Sequence, residues 1–455
     1  MMTKDKRFYS DFFKICILLI LQNVVSLSVN LADNIMLGAY SEAALTGVAA
    51  VNQVQFILQQ VMLGFGDGLV VLASQYWGKK DLEPIQKIAS IALRMGVVFV
   101  LLLFIVVSVF PHGVMHLFTR DAVIVAEGVS YLSIIRFTYL FFGMTSILLA
   151  ALRSVETVKI AFFLSFSTLI VNCSLNYIFI YGNFSAPRMG ARGAALGTLI
   201  ARIVEFTILI IYILKKEKHF KLNIKDYITF DKKLFGDYLK ISIPLVTVCV
   251  LWGATSALQT IILGHMTPTA IAANSIACTL FLMLKAVASG AASTASVLTG
   301  RSIGRGDFKK VQEYANTMQI MFLCIGVAIS ITLFFVRIPI LGLYHIAPQT
   351  KAMANSFLLV LCVASIGSAY ECPTITGILR GGGNTRFDLI TDIVCVWGIG
   401  FPLALLAAYV FRLSPVVVVI FLNLDQIIKC IPAYIKVNKC KWIQNFTGGK
   451  EVRKK

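Results

Sequence analysis

Charged residues are scarce in this chain. Only 14% of the 455 residues are Asp, Glu, Lys or Arg, whereas 58% are hydrophobic. A soluble globular domain contains about 25% charged residues, and its apolar runs rarely reach the length of about 20 residues that a helix needs to cross a bilayer. The scarcity of charge therefore excludes a soluble protein and predicts a polytopic membrane protein.

The sequence also lacks the common catalytic and nucleotide-binding motifs. It has no GxxxxGK[ST] run, no HExxH motif and no nucleophile elbow, so we expect neither an ATP site nor an enzyme. The ten cysteines form no CxxC pair, and we interpret them as small buried hydrophobic residues. His112 and His116 have the spacing of zinc ligands but no third ligand nearby, so we predict no metal site.

Twelve apolar segments are long enough to span a bilayer core as helices. They lie at roughly 12–37, 48–76, 88–110, 124–151, 158–181, 190–214, 238–264, 270–299, 311–336, 352–379, 387–411 and 415–437. The polar stretch 215–235 is the predicted linker between an N-lobe, 1–214, and a C-lobe, 236–455, which ends in a basic tail. The predicted fold class is an all-α integral membrane protein with twelve transmembrane helices in two six-helix lobes.

The net charge of +19 comes from basic residues that lie mainly on one side of the predicted membrane. Of the 41 Lys and Arg residues, 32 fall on the side of the two termini and the linker, six fall on the other side and three lie within segments. By the positive-inside rule, both termini and the linker are cytoplasmic in a multi-pass plasma-membrane protein. Because the basic residues lie between apolar segments, we expect no nucleic-acid partner.

The two lobes repeat each other at an offset of 226 residues. Asp11, Lys14, Leu37, Gly38, Gly64, Gly78 and Asp81 fall on Asp237, Lys240, Leu263, Gly264, Gly290, Gly304 and Asp307. Since each lobe has six segments, both begin on the same side, which predicts parallel repeats related by an axis along the membrane normal. The copies differ most at Asp33, whose counterpart is the neutral Gln259. A carboxylate in an apolar segment indicates a functional site.

Several runs of residues resemble the multidrug and toxic compound extrusion (MATE) family over nearly the whole chain. These are the DNIMLG run at 33–38, the SQYWGKKD run at 74–81, the NCSLNYIFIYG run at 172–182, the GARGAALGT run at 190–198 and the GILRGGGNTR run at 377–386. The resemblance implies a secondary antiporter that exports diverse, often cationic, amphipathic compounds as its lobes alternate between outward-open and inward-open forms.

The resemblance also implies the partners and the coupling residues. The partners would be small drug-like molecules and the lipid bilayer, with H⁺ or Na⁺ as coupling ion, no other cofactor, and a monomeric chain. The acidic residue that the family uses for cation coupling matches Asp33, accompanied by Asn172, Asn176 and Thr198. Some members carry an aspartate where Asn176 stands, so the choice between H⁺ and Na⁺ stays open.

The residues themselves support the same group. Asn172 and Asn176 lie one helical turn apart, so both can offer oxygens to an ion held by a deep Asp33. Two structural alternatives remain: Asp33 lies among the outer headgroups, or the amide and hydroxyl groups simply hold helices together.

A second candidate ion or substrate site lies in the C-lobe. Glu371 stands immediately before Cys372-Pro373, where proline breaks the helical hydrogen bonding, and Lys285 lies midway along the eighth segment. An ion pair between Glu371 and Lys285 would neutralise both, in either a functional or a purely structural role. Secondary candidates are Arg202 and Glu205, which can pair three residues apart on one helix. We expect Asp67, Asp388 and Asp392 to be interfacial.

Two other functions compete with the antiporter. A flippase for a lipid-linked saccharide or cell-wall precursor would share the two-lobe plan, but it should present a strongly cationic cavity, whereas only Arg136, Arg202 and Lys285 are intramembrane. An integral-membrane enzyme acting on lipids would need a convergent catalytic set, which the sequence does not show.

Overall fold

The computed structural model of the chain describes residues 2–119, 121–217, 219–220, 231–343, 347–439 and 441–448. Within these ranges the chain is almost entirely helical and contains no strand. The middle of the predicted linker, 221–230, and the end of the basic tail, 449–455, lie outside the described residues. The helices are α1 Lys6–Tyr40, α2 Glu42–Gly78, α3 Leu82–Val109, α4 Pro111–His116, α5 Ala122–Ile135, α6 Thr138–Ser154, α7 Lys159–Tyr181, α8 Ala191–Lys215, α9 Lys232–Gly264, α10 Pro268–Gly304, α11 Phe308–Leu343, α12 Pro348–Leu379, α13 Thr385–Val410 and α14 Pro415–Lys439.

Each predicted segment coincides with a helix that can cross a membrane, except the fourth. Eleven described helices are long and apolar enough to span, and α5 and α6 pass the same test only together, bent by 54°. The bend replaces the single continuous helix predicted for 124–151. At the break, the Thr138 hydroxyl donates to the Ile135 carbonyl at 2.6 Å. A side chain that bonds this carbonyl competes with the regular helical ladder, which accounts for the change of direction.

The internal repeat is visible in the positions where the helices begin. The helices α9, α10, α11, α12 and α13 begin 226 residues after α1, α2, α3, α5 and α7, respectively. The offset found in the sequence therefore extends over nearly the whole of both halves. The fold is all-α with two six-helix lobes related by an internal repeat.

The chain forms two compact units whose boundaries differ from those of the sequence halves. Unit 1 contains Met1–Ile20, Ser74–Lys80 and Leu251–Lys455, and unit 2 contains Leu21–Ala73 and Asp81–Val250. The beginning of α1 and the end of α2 thus belong to unit 1, whereas the beginning of α9 belongs to unit 2. Three helices divide between the units.

One close helix contact is shared by the two units, at equivalent positions of the repeat. In unit 2, a Cβ on Gly64 of α2 would lie 2.7 Å from the Cα of Val246 in α9. In unit 1, a Cβ on Gly290 of α10 would lie 3.1 Å from the backbone nitrogen of Ile20 in α1. In the 226-residue repeat, Gly290 is equivalent to Gly64 and Val246 is equivalent to Ile20. A glycine is needed at both points because any side chain would push the backbones apart.

The segment 441–448, which follows α14, folds back along unit 1. The Gln75 amide donates to the Gln444 carbonyl at 3.0 Å and accepts from the Phe446 N–H at 3.0 Å. The Gln444 N–H donates to the carbonyl of Gly382 at 2.8 Å. Trp442 is buried. This segment therefore ties the end of α2 to the connection between α12 and α13.

Candidate functional site

The four residues of the predicted N-lobe site form one continuous chain of hydrogen bonds in unit 2. The Asn176 amide donates from Nδ2 to Asp33 Oδ1 at 2.6 Å and to Asn172 Oδ1 at 3.2 Å. The Asn172 amide donates from Nδ2 to Thr198 Oγ1 at 3.1 Å. The structure thus brings together Asp33 on α1, the two asparagines on α7 and Thr198 on α8.

Small residues on α8 allow this convergence. Gly197 lies directly against the Asn176 side chain, and a Cβ there would come within 2.4 Å of Asn176 Oδ1. Gly193, one turn earlier, faces the Phe179 carbonyl, 2.5 Å from the position of a Cβ. Because α7 and α8 approach so closely, the short side chains of Asn172 and Thr198 reach each other without a bridging group.

The polar chain contains an unsatisfied acceptor. Asn176 Oδ1 is buried and has no hydrogen-bond partner among the described residues. A buried acceptor without a partner is costly unless another group or ion can satisfy it. The orphan oxygen belongs to the side chain that donates to Asp33, so the group contains a neutral acceptor oxygen that no described residue uses.

Asp33 has no counter-ion of its own in the part of the chain that the structure describes, where it forms no ion pair. Arg202 lies within electrostatic reach of Asp33. However, Arg202 Nη1 pairs with Glu205 Oε2 at 2.7 Å, and its guanidinium lies 5.0 Å from the centre of the Phe142 ring. The pairing expected between Arg202 and Glu205 is made, and it leaves the Asp33 carboxylate without a directly bound cation.

Glu371 and Lys285 are both described by the structure, and they do not form the expected ion pair. The Lys285 Nζ lies 5.4 Å from the ring centre of Trp252 and 6.0 Å from that of Phe281, so its charge faces aromatic rings. Glu371 is buried, with 7% of its surface exposed. Its strongest charged neighbour is Lys429 rather than Lys285.

Sequence reasoning did not single out Asp425 and Lys429. The Lys429 Nζ lies 2.6 Å from Asp392 Oδ1 and 3.1 Å from Asp425 Oδ2, and all three side chains are at most 14% exposed. Asp392, which we expect to be interfacial, is therefore a buried ion-pair partner. Asp388 is likewise buried, 2.6 Å from Arg380. The available signal was an acid and a base four residues apart in an apolar segment, a spacing that places both on one helix face.

The buried charges of unit 1 lie where helices lose their regular geometry. Glu371 precedes a π-helical stretch at Pro373–Leu379, and Asp392 directly precedes another at Ile393–Gly400. Lys429 lies at a turn between the helical stretches Asp425–Ile428 and Cys430–Lys439. Proline explains the first irregularity, since it removes a backbone donor. π-helical turns are frequently found at functional sites.

Comparison with known proteins identifies the family. The MatE family profile matches the chain twice, over residues 19–178 and 244–406, once in each half of the repeat. A probable multidrug resistance protein NorM of Bacillus licheniformis is 26% identical over 88% of this chain and 89% of its own length. A protein of the same description from Thermotoga maritima is 24% identical over 86% of this chain and 84% of its own.

Solved structures share the fold. The Vibrio cholerae MATE transporter VcmN in the bent form superposes with a TM-score of 0.85 at 15% identity, covering 95% of this chain and 97% of its own. The eukaryotic MATE transporter AtDTX14 superposes with a TM-score of 0.83 at 17% identity, covering 96% of each chain. With two family matches that span most of both lobes, the chain belongs to the MatE family, whose members are multidrug and toxic compound efflux transporters.

Proposed function

We propose that the protein is a secondary antiporter that exports amphipathic, often cationic, drug-like compounds in exchange for H⁺ or Na⁺. The observation that carries this proposal is the hydrogen-bonded chain from Thr198 to Asp33, in which Asn176 Oδ1 is buried and has no partner among the described residues. Such a site suits a small cation, because it combines one carboxylate with neutral oxygens and contains no fixed counter-ion. The absence of a GxxxxGK[ST] run supports an ion gradient as the source of energy.

In this proposal, binding and release of the ion at Asp33 are coupled to movement of the cargo. A carboxylate in an apolar medium is costly when it is charged and unpaired, so Asp33 favours the state in which a proton or Na⁺ is bound. When the ion leaves, the charged carboxylate keeps the hydrogen bond from Asn176 and, among the described residues, gains no ion pair. The loss of charge balance changes which packing of α1, α7 and α8 is favoured. Glu371 and Lys285 remain candidates for a further site.

The chain offers few free cationic side chains, on which a flippase would depend. A lipid diphosphate requires several free cationic side chains, but Arg202 is already paired with Glu205 at 2.7 Å. Lys285 faces Trp252 and Phe281. The relatives described as multidrug resistance proteins support drug-like compounds as cargo.

The test is efflux of a fluorescent cation from proteoliposomes, with a proton gradient and a sodium gradient imposed separately. We expect one of the gradients to drive efflux by the wild type and Asp33→Asn to slow it by about tenfold or more, because an amide neither binds a proton nor carries the charge that holds Na⁺. The gradient that works identifies the coupling ion.

The matched control is Glu83→Gln, which removes a carboxylate whose side chain is 70% exposed and pairs with Lys87 on the same helix. This variant should transport like the wild type. Gradient-driven efflux by Asp33→Asn at the wild-type rate would contradict the role of Asp33. If neither gradient moved the dye through the wild type, the antiporter itself would be refuted and lipid-linked substrates would be tried next.

We also propose that the protein lies in the plasma membrane with both termini in the cytoplasm. The proposal rests on the 32 basic residues on the terminal side against six on the other. Green fluorescent protein fused after Lys455 should fluoresce, and alkaline phosphatase fused at the same point should be inactive. An active phosphatase fusion would show the opposite orientation.

A further inference from the structure

The ammonium group of Lys285 faces aromatic rings instead of an acid. Its Nζ lies 5.4 Å from the ring centre of Trp252 on α9 and 6.0 Å from that of Phe281, one turn earlier on α10. Within the ranges that the structure describes, Lys285 forms no ion pair and no hydrogen bond. An aromatic face attracts a cation but carries no net charge. These contacts therefore do not neutralise the charge of Lys285.

Lys285 lies too deep in the predicted membrane to place its charge among the headgroups. It stands at the middle of α10, Pro268–Gly304, and Trp252 stands near the middle of α9, Lys232–Gly264. A lysine near a helix end can extend its stem to the headgroups, but the stem is too short to do so from the centre of a bilayer core of about 30 Å. A charge that stays at this depth without a counter-ion is costly and indicates a functional group.

The buried acids nearest to Lys285 are engaged with another lysine. Asp392 and Asp425 lie 2.6 and 3.1 Å from Lys429 Nζ. Glu371 lies within electrostatic reach of Lys285, but Lys429 acts on it more strongly. These acids leave Lys285 unneutralised, so an anion from outside the chain can pair with it.

Lys285 belongs to a half-buried face of α10 that combines polar and aromatic groups. Asn274, Cys278, Phe281 and Lys285 follow one another at intervals of four, three and four residues, so they lie along one side of the helix. None of the four is fully buried or fully exposed. The Cys278 thiol donates to Asn274 Oδ1 at 3.4 Å. Apolar surface with a few polar groups and one charge is typical of a site for a small amphipathic molecule.

The first half of the repeat has neutral polar residues in these places. In the 226-residue repeat, the equivalents of the ammonium group and its two rings are Gln59, Gln55 and Ser26. The duplicated fold therefore requires neither a charge nor a ring at these positions. Because an uncharged side chain would be less costly in the membrane, the lysine of the second half indicates a function that the first half does not share.

We propose that Lys285, Trp252 and Phe281 form a binding site for aromatic compounds that carry a carboxylate. The ammonium group pairs with the carboxylate through a charge-assisted hydrogen bond, and the two rings pack against the aromatic part of the compound. The inference rests on the proposed export of drug-like compounds and extends their range to aromatic acids and zwitterions. One ammonium group suits one carboxylate, whereas the diphosphate of a lipid-linked saccharide requires several cationic groups.

The test is equilibrium dialysis of the full-length protein in lipid nanodiscs against three probes. Naphthoate has a ring and a carboxylate, naphthamide has the ring without the charge, and octanoate has the carboxylate without a ring. We expect the wild type to bind naphthoate about tenfold more tightly than either of the others. Lys285→Gln should abolish the preference for naphthoate over naphthamide, because a neutral amide forms no charge-assisted bond with a carboxylate, and Lys285→Arg should keep it. Trp252→Leu should reduce the preference for naphthoate over octanoate.

Lys436→Gln is the matched control. Lys436 Nζ also faces a ring, 5.5 Å from the centre of Phe387, but it lies in the last turn of α14 instead of the middle of a helix. This variant should bind the three probes as the wild type does. If Lys285→Gln does not fold, the wild type and Lys285→Arg decide, since both must prefer naphthoate to naphthamide. The proposal is overturned if the wild type binds these two probes equally, or if folded Lys285→Gln keeps the preference that Lys436→Gln shows.

Binding is measured without a gradient, so the result is independent of antiport. If gradient-driven efflux fails in the wild type while the preference for naphthoate depends on Lys285, the antiporter is refuted and the binding site stands. If efflux depends on Asp33 but binding of naphthoate does not depend on Lys285, the binding site is refuted and the antiporter stands.

Discussion

At the residue scale, the polar group around Asp33 is easier to find in the sequence than the buried charged residues around Lys429. Asp33, Asn172 and Asn176 stand within long apolar segments, so each is conspicuous alone, and the structure joins them through hydrogen bonds of 2.6 and 3.2 Å. Asp425 and Lys429 are also buried, but the sequence analysis did not single them out, because an acid and a base four residues apart on one helix can form a purely structural pair.

The position of Gly197 leads to a prediction about the Asp33 site that leaves every polar group in place. Gly197→Ala would add a Cβ 2.4 Å from Asn176 Oδ1 and so push the amide away from Asp33. Overpacking of this kind costs about 1–3 kcal/mol. We expect Gly197→Ala to lower the thermal stability and the rate of gradient-driven efflux, both measured on purified protein.

The matched glycine is Gly236 in α9, where a Cβ would have no atom within 4 Å. Alanine is a better helix former than glycine by about 1 kcal/mol, so Gly236→Ala should leave efflux unchanged and should not lower stability. Equal behaviour of the two variants would show that close packing of α8 against Asn176 does not matter for the site.

At the element scale, the sequence predicts the positions of the helices better than it predicts their departures from regular helical geometry. The hydropathy and length of each segment follow from the bilayer thickness, and for that reason the predicted segments coincide with the helices. The 54° bend between α5 and α6 lies where the Thr138 hydroxyl bonds a carbonyl three residues earlier. A threonine at a helix bend looks the same in a sequence as a threonine in a straight helix.

The same limit applies to the charged residues of α12 and α14. Pro373 in the sequence predicts a disturbed helix beside Glu371, and the π-helical stretch that begins there agrees with it. The lysine that pairs with the acidic residues of unit 1 could not be predicted, because both Lys285 and Lys429 lie in apolar segments. The direction of each side chain decides between the two lysines. Lys285 Nζ lies 5.4 Å from the Trp252 ring centre, whereas Lys429 Nζ lies 2.6 Å from Asp392 Oδ1.

At the scale of the whole molecule, the repeat predicts two lobes, and the structure adds that three helices divide between two compact units. The sequence shows the duplication because equivalent residues recur after 226 positions. It does not show which helix of one half completes the packing of the other, since that depends on close contacts such as those of Gly64 with Val246 and of Gly290 with Ile20.

These contacts predict the behaviour of a chain cut into its two sequence halves. A fragment 1–220 lacks Val246, which packs on Gly64, and a fragment 221–455 lacks Ile20, which packs on Gly290. Each fragment alone would expose an apolar face that the other normally covers, so we expect the fragments to be unstable when made separately. Made together in one cell, they should assemble, and a tag on one should recover both in an efflux-competent form.

The control is a cut inside α9, between Val250 and Leu251, where the two units meet along the chain. That cut interrupts the backbone hydrogen bonds of a membrane helix, and an unsatisfied backbone group in the bilayer costs several kcal/mol, so reassembly should be poor even though each fragment keeps more of one unit. Stable folding of fragment 1–220 or of fragment 221–455 alone would show that the shared helices are dispensable. Recovery of both fragments only for the cut at 220 would show that each half requires helices of the other.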